Sequence, residues 1–314
     1  MPEEYRVLDA TSSEARAFVA DGLAARRPPD GNRLAGVEAL RAEYREGFRP
    51  GCEATIAEFD ARLTEVEVAG VPCLETTVGE PGDGAVLYLF GGGFVLGGPF
   101  EDVRFSAPLA AGLGLRVVAP YYPLAPEHPF PAAVDAATAV WRELLDTWPA
   151  DRLVIAGESA GGNLALTALL DARGAGLPAP AACALFSPWS DLTTTGHSFE
   201  VDADPTLTTA EVGAFAAAYA GDAPLDDPRV SPLHADFGPW LPPTILTTGT
   251  RDLFLSLHAR LATRFREAGV DLDLRIWEGM WHVFEFYREV PEARASMDET
   301  VAFLAERVLR RGRS

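Results

Sequence analysis

The residue with the clearest chemical potential in this chain is Ser159, in the run GESAG over residues 157–161. The run fits the pattern G-x-S-x-G, in which a serine lies in a sharp turn between a strand and a helix. Residues 153–156 are a short apolar run typical of a buried parallel strand, and residues 163–170 are typical of a helix. Glycines at both ends of the pattern fit such a turn, because side chains there would collide with the neighbouring strand or helix. We therefore predict that Ser159 is a nucleophile.

An acid and a base are expected after the serine, each in a loop that follows a strand. Asp252 comes soon after the strand-like run over residues 244–249. His282 follows the strand-like run over residues 271–277, in the loop sequence EGMWH. We predict that His282 accepts the proton of the Ser159 hydroxyl group. Asp252 would hold the imidazole tautomer and stabilise the imidazolium ion.

Other histidines and acids compete less well for these roles. His128, His197 and His234 precede the predicted acid in the chain, and His258 lies inside a predicted helix, where we interpret it as a surface or packing residue. Several acids lie in the Pro-, Asp- and Thr-rich segment 188–242, where turn or capping roles are expected. These are Asp191, Asp202, Asp204, Asp226 and Asp227.

Three consecutive glycines, at positions 91–93, follow the strand-like run that ends at Phe90. Glycines leave backbone N–H groups accessible, so this loop is suited to stabilise a developing oxyanion. The N–H group of Ala160, at the start of the helix after the serine, is a further candidate donor. A phosphate loop is not indicated, because neither G-x-G-x-x-G with a ribose-binding acid nor G-K-[ST] is present.

The elements that must position these residues alternate between strand-like and helix-like runs. Alternation of this kind predicts an α/β fold with a mainly parallel sheet and helices on both faces. The strand candidates span 64–68, 72–77, 85–90, 115–120, 153–156, 182–186, 244–248 and 271–277. The helix candidates span 131–148, 160–173, 255–268 and 292–311.

Two segments are interpreted as a cap over this core. Residues 1–50 look helical and precede the first strand, and residues 188–242 are a long insertion with one helix near 209–220. The predicted division is therefore cap helices at 1–50, core at 51–187, cap insertion at 188–242 and core at 243–314.

Composition excludes several classes of function. The chain has 314 residues and a net charge of −20, which disfavours nucleic acids and anionic membrane surfaces as partners. It contains no lysine, so Schiff-base chemistry, pyridoxal phosphate attachment and a P-loop lysine are excluded. Its three cysteines form no C-x-x-C pair, and we predict reduced thiols and no bound metal. Neither a signal peptide nor a membrane span is recognised, so a cytoplasmic location is expected.

Taken together, the motifs resemble those of bacterial hormone-sensitive-lipase-type esterases in the α/β-hydrolase superfamily. The resemblance covers about residues 60–290 and implies an α/β-hydrolase fold with a helical cap, cofactor-free hydrolysis of carboxylic esters, and frequent homodimers. By the same resemblance, Gly92, Gly93 and Ala160 would donate to the oxyanion. The matching runs are FGGGFVLGG (90–98), YYPLAPEHPFPAAVDAA (121–137), GESAGGNLAL (157–166), SPWSDLT (187–193), DPRVSPL (227–233), GTRDLF (249–254) and EGMWHVF (278–284).

Two positions depart from the family pattern. Phe90 stands where the family usually has a histidine that braces the glycine loop, and Glu158 stands where aspartate is common. We predict that Phe90 holds the loop by packing and that Glu158 makes structural hydrogen bonds. Four aromatic residues flank the motifs and are candidates to line a substrate pocket: Phe94, Trp189, Trp281 and Phe284.

The sequence therefore predicts a serine esterase that acts on short- to medium-chain carboxylic esters through an acyl-enzyme. The same site would suit a lactonase or an acyltransferase of secondary metabolism. A ligand-binding relative is a third alternative, because plant gibberellin receptors resemble this family but lack a working triad histidine. The presence of His282 argues against that alternative, and Phe90 leaves it open.

Overall fold

The computed structural model describes residues 11–26 and 33–308, and these contain one sheet of eight strands. The strands are β1 (Arg62–Val68), β2 (Val71–Thr77), β3 (Ala85–Leu89), β4 (Arg116–Pro120), β5 (Leu153–Glu158), β6 (Ala182–Phe186), β7 (Thr244–Gly249) and β8 (Leu272–Trp277). Their order across the sheet is β1-β2-β4-β3-β5-β6-β7-β8. The first two strands pair antiparallel with each other, and β2 is antiparallel to β4. All the other pairs are parallel, so the predicted mainly parallel sheet is confirmed.

Helices pack against this sheet and above its carboxyl edge. They are α1 (Ser13–Ala25), α2 (Val37–Phe59), α3 (Val103–Leu113), α4 (Ala132–Thr147), α5 (Ala160–Gly174), α6 (His197–Val201), α7 (Thr209–Ala220), α8 (Leu255–Glu267) and α9 (Pro291–Val308). Helix α3 packs on α9, and α4 packs on α5. The α/β fold predicted from the sequence is confirmed.

The central strands lie deepest in the molecule. Every residue of β3 and β5 is buried, which explains why both read as continuous apolar runs rather than as alternating patterns. Their register pairs Leu89 with Gly157, so the two strands end side by side. On the other side of β6, Gly249 of β7 pairs with Trp277 of β8. The loops after these four strands therefore meet at one edge of the sheet.

Helix α3 was not predicted from the sequence. Its run over residues 103–113 contains Pro108 and the polar residues Arg104 and Ser106, which interrupt an apolar helical pattern. The structure buries both polar residues, and the Arg104 guanidinium forms an ion pair with Glu289. Tertiary contacts thus compensate for a local pattern that argues against a helix.

The boundary between cap and core at residues 50 and 51, which stays a prediction, falls inside α2. This helix continues through Pro50. Near its amino end Arg41 contacts loops of the core, and near its carboxyl end Cys52 packs with Val103 and Ala107 of α3. One helix therefore belongs to both the cap and the core. The predicted end of the last helix, residues 309–311, and part of the predicted cap, residues 1–10 and 27–32, lie outside the described residues.

The long segment between β6 and β7 contains more helix than expected. It includes the predicted helix as α7, and it adds the short helix α6 and a 3₁₀ turn at Pro232–His234. The Thr208 side chain caps α7 by accepting a hydrogen bond from the Glu211 N–H group. A five-residue helix such as α6 is too short for a periodic pattern to reveal.

Candidate active site

Ser159 lies in a strained turn between β5 and α5. Its backbone has φ +51° and ψ −118°, a conformation that residues with a side chain rarely adopt. A side chain on Gly161 would overlap the carbonyl oxygen of Leu89, so only glycine permits α5 to approach β3 this closely. The turn thus presents the serine side chain at the carboxyl edge of the sheet.

His282 and Asp252 meet Ser159 at this edge. The His282 Nε2 atom lies 2.9 Å from Ser159 Oγ, and the His282 Nδ1 atom lies 3.1 Å from Asp252 Oδ1. All three side chains are almost fully buried. The structure therefore brings together the three residues predicted to form the triad, in the order serine, histidine and aspartate.

The Asp252 carboxylate is held by more than the histidine. Its Oδ1 atom accepts a hydrogen bond from the Phe254 N–H group at 2.8 Å, and its Oδ2 atom accepts one from Thr248 Oγ1 at 2.9 Å. Burial opposes ionisation, but attraction to the nearby histidines and the hydrogen bonds outweigh it and hold the pKa of Asp252 well below its usual value. Asp252 is therefore a carboxylate at neutral pH.

The glycine loop lies beside the serine. Gly92 and Gly93 have φ +94° and +64°, and both line the same cavity as Ser159. The Gly92 carbonyl group accepts hydrogen bonds from the Val95 and Leu96 N–H groups, which closes the loop as a tight turn. Ala160, the next residue after Ser159, begins α5, and the N–H groups of a first helical turn have no acceptor within the helix. Gly92 and Gly93 thus share a cavity with Ser159, and Ala160 follows the serine in the chain.

Phe90 holds the start of this loop through Tyr122. The two rings stack with centroids 4.0 Å apart and planes 10° from parallel. The Tyr122 hydroxyl group also donates a hydrogen bond to the Phe90 carbonyl oxygen at 2.7 Å. Packing and one backbone hydrogen bond therefore brace the loop at the position where the related family has histidine.

Glu158 is part of a buried acidic pair under the same loop. Burial and repulsion from Asp102 raise the pKa of Glu158 well above its usual value, and burial also raises the pKa of Asp102. The Gly91 N–H group is hydrogen-bonded to these carboxyl groups, and the Tyr88 hydroxyl group donates to Asp102 Oδ2 at 3.0 Å. The contacts of Glu158 are those of a residue that supports the glycine loop.

A cavity of about 280 Å³ opens onto the serine. Its wall combines the core edge with side chains of α2, α7 and the loop before α7. The lining residues are Tyr44, Phe48, Gly92, Gly93, Leu96, Glu158, Ser159, Trp189, Thr206, Leu207, Glu211, Val212, Phe215, Phe254, His282, Val283, Phe286 and Tyr287.

Of the four aromatic residues predicted to line a pocket, Trp189 lines this cavity and the other three do not. Phe94 stacks on Tyr219, with ring centroids 3.6 Å apart. Trp281 stacks on Phe18 of α1 at 4.2 Å, and Phe284 packs against Trp277. These three residues are next to site residues in the sequence, but the backbone turns there and directs their side chains away from the cavity. The residues of α2 and α7 that line the cavity, among them Tyr44 and Phe215, were not predicted as pocket residues.

Asp204 connects the cap to both loops of the predicted triad, a role that the sequence did not reveal. Its Oδ1 atom accepts hydrogen bonds from the N–H groups of Thr206 and Leu207, which is the turn role expected of it. Its Oδ2 atom accepts from the His282 N–H group at 2.7 Å and from the Leu253 N–H group at 3.2 Å. The buried carboxylate therefore joins the cavity wall to the backbone beside both His282 and Asp252.

The remaining histidines lie elsewhere, with one exception. His197 is exposed beside Glu200, and His234 faces Asp191. His258, predicted to be a surface or packing residue, is fully buried and hydrogen-bonded to Thr248 and to the Pro188 carbonyl oxygen. The position of His258 in a predicted helix does not reveal these partners, because they come from β7 and from the loop after β6.

Two other kinds of feature are absent from residues 11–26 and 33–308. No group of three or more histidine, cysteine or carboxylate side chains there is arranged to hold a metal ion. None of the helices in these ranges has the length and apolar composition needed to cross a bilayer.

Comparison with known proteins agrees with this geometry. A family model described as the alpha/beta hydrolase fold matches residues 86–286. The chain belongs to the α/β-hydrolase family. An acetyl-hydrolase of Streptomyces hygroscopicus is 36% identical over 223 residues, which are 70% of this chain and 74% of that protein.

Solved structures of α/β hydrolases give the same result. An esterase from the bacterial hormone-sensitive lipase family superposes with a TM-score of 0.85 at 32% identity, covering 95% of this chain and 99% of that one. EstE5, from a crystal soaked with p-nitrophenyl butyrate, superposes with a TM-score of 0.84 at 29% identity, covering 95% and 99%. The resemblance to hormone-sensitive-lipase-type esterases is therefore confirmed.

Proposed function

We propose that this α/β hydrolase cleaves carboxylic esters of short to medium acyl chains through an acyl-enzyme formed on Ser159. The observation that carries the proposal is the unbroken hydrogen-bonded series from Ser159 through His282 to Asp252 at the floor of a cavity. Ester cleavage is also the activity named for a relative of this chain, an esterase of Acinetobacter venetianus that is 32% identical over 248 residues, which are 77% of this chain and 81% of that protein. The chain is a carboxylesterase.

The geometry suggests how acylation proceeds. Ser159 Oγ attacks the ester carbonyl carbon while its proton moves to Nε2 of His282, which lies 2.9 Å away. The carboxylate of Asp252 stabilises the imidazolium ion that forms. The carbonyl oxygen becomes an oxyanion, and the N–H groups of Gly92, Gly93 and Ala160 donate hydrogen bonds to it.

Breakdown of the intermediate reverses the proton transfer. His282 gives its proton to the departing alkoxide oxygen, which leaves as an alcohol, and the acyl group stays on Ser159. A water molecule then attacks the acyl carbon and gives a proton to His282 Nε2. The acid product leaves when Ser159 recovers its proton, so the residues end in their starting states.

The cavity limits the acyl chain. Its volume is about 280 Å³, and the rings of Tyr44, Phe48 and Phe215 form part of its wall on the cap side. A cavity of this size limits the length of the acyl chain, and the resemblance to hormone-sensitive-lipase-type esterases implies chains of about two to eight carbons. Hydrolysis of lactones and transfer of the acyl group to another alcohol would use the same intermediate. The cytoplasmic location and the homodimer stay predictions.

A series of p-nitrophenyl esters with increasing acyl length tests the proposal. We expect kcat/KM to be greatest within the range of about two to eight carbons and to fall at about twelve, because longer chains exceed the space that the cavity provides. Phe215→Ala should widen the cavity and raise the ratio of kcat/KM for octanoate over acetate about fivefold. Phe237→Ala is the matched control, since that ring packs on Phe265 and does not line the cavity. Absence of hydrolysis, or best activity on the longest chains, would refute the proposal.

A further inference from the structure

A fourth polar residue, His258, contacts the acid of the predicted triad from the side opposite His282. The imidazole is fully buried on α8. Its Nδ1 atom lies 2.8 Å from Thr248 Oγ1, which in turn lies 2.9 Å from Asp252 Oδ2. Its Nε2 atom lies 3.1 Å from the Pro188 carbonyl oxygen. A hydrogen-bonded series therefore runs from the loop after β6, through α8 and β7, to the carboxylate.

This series has three hydrogen-bond contacts but two polar hydrogens to fill them. A neutral imidazole supplies one hydrogen and a hydroxyl group supplies another, whereas Pro188 O and the Asp252 carboxylate accept only. Burial lowers the pKa of His258 to about 4, so the ring is neutral at neutral pH. A ring proton on Nε2 satisfies Pro188 O and leaves Nδ1 as an acceptor. The Thr248 hydroxyl group then faces two acceptors, His258 Nδ1 and Asp252 Oδ2.

We propose that His258 is a positioning residue for the reaction, acting on Asp252 through the hydroxyl group of Thr248. The inference rests on the proposed function of Ser159, Asp252 and His282. Competition from His258 limits how much hydrogen bonding Thr248 gives to Asp252 Oδ2. More of the negative charge is then available at Oδ1, which faces His282 at 3.1 Å. The same contacts fix the plane of the carboxylate.

The surroundings of His258 make this link specific. The charged or titratable groups that face its ring are Asp252, whose Oδ2 atom is 3.7 Å from Nδ1, and His282. Asp204 lies behind Asp252 and interacts with it. The ring also faces the backbone of Ser187, and Phe254 packs edge-on against both His258 and His282. A change at His258 is thus transmitted mainly to Asp252.

Two substitutions should move the acid limb of the kcat/KM–pH profile in opposite directions. Thr248→Val removes a donor from Asp252, so the carboxylate attracts the imidazolium form of His282 more strongly and the midpoint should rise by about half a pH unit. His258→Leu leaves the Thr248 hydroxyl group to Asp252 alone, so the midpoint should fall by a similar amount. In both variants kcat should drop about three- to tenfold while KM stays within about twofold. His258→Gln, which keeps an amide donor and acceptor, should restore a midpoint closer to that of the parent.

Controls separate this inference from the proposed function. Thr300→Val removes another fully buried hydroxyl group, one without a hydrogen-bond partner, and should leave the profile unchanged. No shift in either variant, or shifts in the same direction, would overturn the role of His258 while ester hydrolysis by Ser159 stands.

A spectroscopic measurement needs no substrate. Imidazole ¹⁵N NMR of the parent at neutral pH should show a protonated Nε2 and an unprotonated Nδ1 for His258, with the exposed His197 as an internal reference. Thr248→Val should change the His258 Nδ1 resonance. A proton on Nδ1 of His258 and none on Nε2 would contradict the role proposed for His258, whether or not the protein hydrolyses esters. Failure of the proposed function would be seen in a different measurement, as equal hydrolysis rates for the parent and Ser159→Ala.

Discussion

The carboxyl edge of the sheet and the cap above it contribute different kinds of side chain to the candidate site. At the edge, short loops after strands carry polar side chains whose contacts are 2.9 to 3.1 Å long, as in the series Ser159, His282 and Asp252. The cap contributes mainly apolar side chains from α2 and α7 to the cavity wall. Strand ends are rigid and suit groups that must keep an exact geometry, whereas a cap changes shape and volume without disturbing them.

Asp204 is the main exception to this division. It comes from the cap segment, yet its carboxylate accepts hydrogen bonds from the backbone N–H groups of His282 and Leu253. Its other oxygen, Oδ1, accepts hydrogen bonds from the N–H groups of Thr206 and Leu207, which line the cavity. The two regions are therefore joined at the point where the geometry of the edge matters most. Substitutions at the edge, in the cap and at this connection should separate chemistry from positioning.

The largest effect is expected at the edge. Ser159→Ala removes the proposed nucleophile and should reduce kcat on p-nitrophenyl acetate at least about a thousandfold, with little change in the melting temperature. Ser190→Ala is a matched control, because that serine is also buried close by and its hydroxyl group has no hydrogen-bond partner. Residual activity above about a hundredth of the parent rate would place the nucleophile elsewhere.

The connection should come next. Asp204→Asn replaces one carboxylate oxygen by an amide NH₂ group, which cannot accept from the N–H groups that face it, so at least one pair of hydrogen bonds is lost. We expect kcat to fall about ten- to a hundredfold and the free energy of unfolding to fall by about 1–3 kcal/mol. Asp202→Asn, in the same loop but paired with Arg26, should keep kcat. A parent-like kcat for Asp204→Asn would mean that the cap and the edge are independent.

The buried acidic pair under the glycine loop predicts a dependence of stability on pH. The pKa of Asp102 is raised to about 8 by burial, and the pKa of Glu158 is raised as well. The folded state therefore holds more protons than the unfolded state from about pH 4 upward, so stability should decrease as the pH rises toward 8. Glu158→Gln removes one of the two carboxyl groups and should reduce the fall in melting temperature between pH 6 and pH 9 by several degrees. Thermal unfolding measures this fall. An equal fall in melting temperature for the parent and Glu158→Gln would contradict the interpretation of Asp102 and Glu158 as a buried acidic pair.

The smallest effect is expected at Phe90. The proposed oxyanion donors are backbone N–H groups, and the loop is already braced by the Phe90–Tyr122 stack and the hydrogen bond from Tyr122. Phe90→His should therefore change kcat on a short ester less than about tenfold, compared with the 10²–10³ typical for loss of an oxyanion donor. A hundredfold gain would show that the natural loop is misaligned. Tyr122→Phe, which keeps the ring and loses the hydroxyl group, measures the contribution of the hydrogen bond alone.

Local sequence was sufficient to predict the residues at the carboxyl edge of the sheet, because strands and tight turns are marked by patterns of a few neighbouring residues. Strand-like runs predicted β3, β5, β7 and β8, and the candidates Ser159, Asp252 and His282 lie just after three of those strands. Parallel strands bring such loops to one edge, so the sequence alone predicted which side chains would meet. The glycine at 161 and the glycine run before Phe94 also reflect local backbone demands, which one residue type can satisfy.

Tertiary structure alone decided which residues face the cavity and which polar groups support the site. Phe94, Trp281 and Phe284 pack against other aromatic rings, while Phe48 and Phe215, far apart in the chain, line one cavity with the serine. Asp204 and His258 reach Asp252 or His282 from segments that local patterns assign to a turn and to a helix surface. Hydrogen bonds between residues tens of positions apart leave no periodicity in the sequence, because they depend on how elements pack rather than on how each one forms.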